Sequence, residues 1–96
     1  MSHTASINGV QIASSDKIEV VEGNLYFPPE ALDKAKFTDS ETHSTCPWKG
    51  VASYYNVKLD DGKVVKDAAW YYPDPKSGAA NIKGYVAFYG SKVQVA

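Results

Sequence analysis

Val51-Ala52-Ser53-Tyr54-Tyr55-Asn56-Val57-Lys58-Leu59 is the stretch on which the fold turns. Successive residues of an extended chain point to opposite sides. Val51, Ser53, Tyr55, Val57 and Leu59 therefore share one face, and Ala52, Tyr54, Asn56 and Lys58 the other. Asp60-Asp61-Gly62 supplies a turn, so Lys63 to Tyr72 returns as the antiparallel partner. On that return Trp70 and Tyr72 project to the same side with Tyr71 opposite, which lets them cluster with Tyr54.

Working outward, Asn8-Gly9 between Ala5-Ser6-Ile7 and Val10-Gln11-Ile12 predicts a tight hairpin, since Asn-Gly tolerates the positive φ of a type I′ turn. Ile18 and Val20 alternate with charged neighbours, as on a strand with one wet face, and Gly23-Asn24 is expected to turn the chain into Leu25-Tyr26-Phe27. Pro28-Pro29 ends that strand by removing two amide donors. Glu30 to Ala35 is the one good helical stretch, with Pro29 in its first turn and charges matched to the dipole. Phe37 to Thr42 reads as polar and turn-rich. Pro73 to Gly78 is a loop leading to a helical turn at Ala79-Ala80-Asn81, followed by strands at Tyr85–Tyr89 and Lys92–Val95. Short strands, tight turns and one short helix predict a mainly β, small antiparallel barrel-like or sandwich domain. Residues 1–5 are expected as a flexible tail and 6–96 as one domain.

Ninety-six residues suffice for one core. Net charge is −1, and all ten basic residues are lysines. Without arginine there is no guanidinium fork for phosphate or base edges, and a near-neutral chain exerts no long-range pull on nucleic acid or anionic lipid. One cysteine excludes an intrachain disulfide and fits a reducing compartment, so a cytoplasmic protein is expected. No apolar run has the length of a membrane span.

Ahead of the central strand, Thr42 to Gly50 brings together His43, Cys46, Trp48 and Lys49 in what reads as a turn. A reactive Cys46 would need a nearby cation, which His43 or Lys49 could supply, whereas a buried Cys46 is simply a small hydrophobe. Glu41, His43 and Cys46 fall short of the four ligands of a structural zinc site, so neither metal nor cofactor is expected. Lys49-Gly50 lacks the Gly-x-x-x-x-Gly-Lys spacing of a phosphate loop.

The segment Thr45-Cys46-Pro47-Trp48-Lys49-Gly50, followed by Ala52-Ser53-Tyr54-Tyr55, resembles the signature of a small single-domain family of unknown function catalogued under a nucleotidyltransferase label. Trp48 stands where tyrosine is frequent in that family. The resemblance runs from about Ile7 to Val93 and implies a β-tent-like fold. It also implies an acid, Glu22, placed to pair with Lys49. The expected site is an aromatic-walled pocket for a flat or cationic small molecule, formed by Tyr26, Trp48, Tyr54, Trp70 and Tyr72 with Glu22 and Lys49 at its rim. The alternative is a small metabolic enzyme using Cys46 or His43 with Lys49. The apolar C-terminal strands suggest a homodimer that covers a sheet edge.

Overall fold

A computed structural model describes residues 2–96. It is mainly β and antiparallel throughout its sheets. Its strands are β1 (His3–Ile7), β2 (Val10–Ser15), β3 (Glu19–Val21), β4 (Asn24–Tyr26), β5 (Phe37–Cys46), β6 (Gly50–Lys58), β7 (Val64–Tyr71), β8 (Val86–Phe88) and β9 (Gln94–Val95). They form a three-stranded sheet, β2-β1-β9, a hairpin, β3-β4, and a four-stranded sheet, β5-β6-β7-β8.

The β1–β2 hairpin turns at Asn8 (φ 51°) and Gly9 (φ 79°), the positive pair expected of Asn-Gly. The β3–β4 turn falls one residue earlier than expected, on Glu22 (φ 54°) and Gly23 (φ 80°). That shift moves the apolar face of β3 as well. Val20 is 63% exposed while Val21 packs inward.

Three further expectations need correcting. The chain is already sheet from His3, inside the stretch expected as a tail, and Ala5 is fully buried. The reason is that β1 is the central strand, paired with both β2 and β9, with Thr4 and Ala96 exchanging main-chain hydrogen bonds of 3.1 and 2.9 Å. The helical stretch at Glu30–Ala35 is split into two 3-10 turns, Pro29–Ala31 and Lys34–Lys36. Leu32 between them is extended because it bridges Ala13, while the Asp33 amide donates to the Ile12 carbonyl at 2.9 Å. Finally, Phe37–Cys46 is a ten-residue edge strand rather than turns. It lacks an apolar alternation because its residues are largely exposed and its pairing with β6 is interrupted between Asp39 and His43.

The β6 alternation organises both faces of the four-stranded sheet. Val57 and Leu59, with Ala69 and Phe88, pack against Ala5, Ile7 and Ile12 of the three-stranded sheet. Ala52 and Tyr54, with Tyr72 and Ala87, pack on the other face under Tyr26 and the 3-10 segment Ser77–Ile82. Of the two C-terminal strands, β8 is covered within the chain, with Val86 bridged on its outer side by Phe27, while the short β9 is an edge of the three-stranded sheet. No helix among the described residues is long and apolar enough to cross a membrane.

Candidate functional site

The signature turn lies at the end of the β5–β6 hairpin, and its conformation follows from its glycine. Gly50 has φ 112°, and a Cβ there would meet the Asp74 carbonyl oxygen at 3.4 Å. The backbone angle is what calls for glycine, while a Cβ at that distance would make a close but ordinary contact. The Pro73–Gly78 loop closes against the turn. The Lys76 amide donates to the Lys49 carbonyl at 2.8 Å, and its Nζ donates to the Pro47 carbonyl at 2.7 Å. Lys49 is thereby held with its side chain turned inward, only 6% exposed.

Glu22 meets it from the opposite hairpin. Lys49 Nζ donates to Glu22 Oε1, joining two turns that are 27 residues apart in sequence. The ammonium also lies 5.3 Å from the Trp48 ring centroid and 5.4 Å from that of Tyr72, within cation–π range. Burial works to lower the Lys49 pKa, but the Glu22 hydrogen bond and the neighbouring Tyr26 and Tyr72 outweigh it and hold the group up at about 12. The same hydrogen bond, with a smaller contribution from the Trp48 indole, lowers the Glu22 carboxyl against a modest opposing effect of burial. Both groups are charged at neutral pH. The two differ in solvation: the Glu22 side chain is 51% exposed.

The aromatic residues fill their own space. Tyr26 and Trp70 pack edge-to-face at 6.3 Å, with Trp70 Nε1 donating to the Tyr26 hydroxyl at 3.1 Å. Trp70 lies 4.6 Å from Tyr89, which stacks on Tyr54 at 6.3 Å and donates to its hydroxyl at 3.3 Å. Tyr54 in turn shares a 2.7 Å hydrogen bond with Ser44. Trp48 stands apart with 43% of its surface exposed. The arrangement is a packed aromatic platform with Trp48 and the Glu22 carboxylate at its open edge, rather than a hollow walled by rings.

Every expected ligand-binding residue therefore lies on one face of the four-stranded sheet or at its rim. Of the four candidates for chemistry, Glu22 and Lys49 meet, whereas His43 and Cys46 do not come together. On β5, His43 pairs with Ser53 and Cys46 with Gly50, three positions apart, so their side chains leave opposite faces. His43 is exposed, 3.3 Å from the Ser53 hydroxyl. Cys46 is partly buried against the aromatic cluster. Among the described residues, no group of three His, Cys, Asp or Glu side chains is placed to hold a metal ion. Sequence reasoning missed Tyr89 and Ser44; the alternation Ala87–Tyr89 along the strand was the available signal for the first.

An antiparallel β domain with an internally charged, aromatic-faced signature turn is the class these features define. The chain belongs to the family described as a domain of unknown function (DUF427), whose model, labelled NTP_transf_9, matches residues 2–96. No curated protein matches it.

Proposed function

We propose that this domain is a small-molecule binding module, and that its ligand rests on Trp48 with N–H donors directed at Glu22. The observation that carries this reading is the backbone of Glu22. The β1–β2 and β3–β4 turns have nearly the same φ angles, but one uses Asn8 at φ 51° and the other Glu22 at φ 54°. A non-glycine residue without a short side chain pays about 1 kcal/mol or more in the left-handed region. That cost is set against a carboxylate delivered to Lys49 and Trp48 with half of its side chain still in water. The carboxylate keeps acceptor capacity, and the half-exposed indole beside it offers a flat apolar surface. A planar ligand bearing an amidine-like group matches both, by stacking on the ring and by charge-assisted hydrogen bonding.

Benzamidine is the simplest probe of this chemistry. Its titration is followed at the indole N–H resonances of Trp48 and Trp70, assigned with Trp48→Phe. The Trp48 signal should move and saturate, and Glu22→Gln should abolish the effect. Saturable binding with unchanged affinity in Glu22→Gln would rule out the proposed role of the carboxylate. The enzyme reading, Cys46 or His43 with Lys49, is less well supported, since the Lys49 ammonium is engaged by Glu22 and the exposed His43 ring lies against the Ser53 hydroxyl. A reducing, cytoplasmic location is supported by the single unpaired cysteine. A homodimer would find a free sheet edge at β5 or at the C-terminal strand β9.

A further inference from the structure

The broken helix leaves a hollow on the other side of the molecule. Where the sequence favours continuous helix from Glu30 to Ala35, Leu32 is extended, and the two 3-10 turns stand apart. Between them, against Phe37 and Tyr55, is a cavity of about 270 Å³ lined by Pro29, Leu32, Lys34, Phe37 and Tyr55. Its walls are fixed by main-chain bonds. Leu32 is bridged to Ala13, the Asp33 amide donates to Ile12 at 2.9 Å, and the Phe37 amide donates to the Lys34 carbonyl. Its floor is a braced aromatic stack: Phe37 packs edge-to-face on Tyr55 at 5.6 Å, and Tyr55 stacks on Tyr71 at 4.4 Å.

The lining of this hollow carries one charge, with Asp33 nearby engaged by Lys36 and Asp39 close enough to act on the Tyr55 phenol from outside the lining. Lys34 is the only ionisable amine or acid in its lining. Lys34 forms no ion pair among the described residues, whereas nearby Lys36 is paired with both Asp33 (3.3 Å) and Asp60 (3.4 Å). No carboxylate lines the cavity to attract a cation or to neutralise Lys34. The volume lies just below the range of about 300–1,000 Å³ usual for drug-sized ligands, which limits the occupant to a single ring.

We propose that the hollow between the two 3-10 turns, floored by Phe37 and Tyr55 with Lys34 at its mouth, is a binding site for a small aromatic carboxylate. The ring occupies the apolar interior, and the carboxylate meets the Lys34 ammonium at the surface. This site is separate from the Trp48–Glu22 platform and does not depend on it.

The test uses benzoate and its uncharged isostere benzamide, each titrated into the ¹⁵N-labelled chain. Benzoate should give saturable amide shifts at residues 30–37 and 55, with an affinity about fivefold higher than that of benzamide, the upper range for an exposed ion pair. Lys34→Gln, a change at an exposed side chain, should leave the shifts at the same amides and erase the difference between the two probes. Three outcomes would overturn the proposal: no saturable shift at these amides, shifts confined to the Trp48 face, or equal binding of the two probes by the wild-type chain.

Discussion

Lys49→Met and Glu22→Gln remove opposite halves of one ion pair, and the structure makes their costs unequal. Lys49 is buried, with its ammonium held between the Glu22 carboxylate and the rings of Trp48 and Tyr72. Glu22 keeps half of its side chain exposed. Methionine fills nearly the volume of the lysine stem and leaves a carboxylate that hydrates in place. Exposed pairs are worth about 0–1 kcal/mol, and one-sided removal from a buried pair costs about 3–5 kcal/mol. With a solvated partner left behind, Lys49→Met falls near the low end, about 1 kcal/mol. That moves a urea midpoint by about 0.5–1 M for a domain of this size. Glu22→Gln keeps the backbone angle and the side-chain shape but strands a buried ammonium, so its midpoint should fall further. The double variant should resemble Lys49→Met, because the stranded charge is gone. Urea unfolding of the four proteins measures all of this. Midpoints that coincide with wild type, or a Lys49→Met midpoint below that of Glu22→Gln, would refute the reasoning.

Stability should fall at both ends of the pH scale. Lys49 is raised in the folded state, so its contribution is complete below the unfolded value near 10.5 and is lost as pH rises through about 12. Burial, with help from Tyr71 and Tyr54 respectively, also holds the phenols of Tyr55 and Tyr89 near 12, and they act in the same direction. The difference between wild type and Glu22→Gln therefore isolates the pair on the alkaline side. Glu22 is lowered, so its contribution is present above the unfolded value near 4.5 and is lost as pH falls through the folded value. Asp67, lowered by hydrogen bonds from Ser40 and then Thr42, adds to this acid limb. Cys46 should react with iodoacetamide more slowly in the folded chain than in urea, because Lys49 is committed to Glu22 and His43 leaves the other face; faster reaction when folded would restore the nucleophile. Elemental analysis of the purified protein should find no stoichiometric zinc, and about one zinc per chain would contradict the ligand reasoning.

What was legible in the sequence was local or periodic. Asn8-Gly9 specifies its turn chemically, and the alternation from Val51 to Leu59 assigns two faces without knowledge of the partners. Trp70 and Tyr72 could be placed beside Tyr54 from the same period. The meeting of Glu22 with Lys49 was implied by the family signature, not by spacing. What was hidden depends on distant chain. Leu32 leaves the helical conformation because Ala13, nineteen residues earlier, offers it a bridge. The β3–β4 turn falls on Glu22, a residue that local preference would keep out of the left-handed region. β5 gave no alternation to read because an interrupted, solvent-exposed edge strand has no face that must be apolar. Reading it as turns left His43 and Cys46 seemingly adjacent, when the strand separates them.

The central claim is that Trp48 and the half-exposed Glu22 carboxylate together form a ligand-binding edge. A crystal structure of the chain grown with benzamidine tests it most directly. The expected result is the amidinium hydrogen-bonded to Glu22 with its ring against the Trp48 indole, while Lys49 remains between Trp48 and Tyr72. Benzamidine bound elsewhere, or a Trp48–Glu22 edge that stays unoccupied at saturating benzamidine, would contradict it.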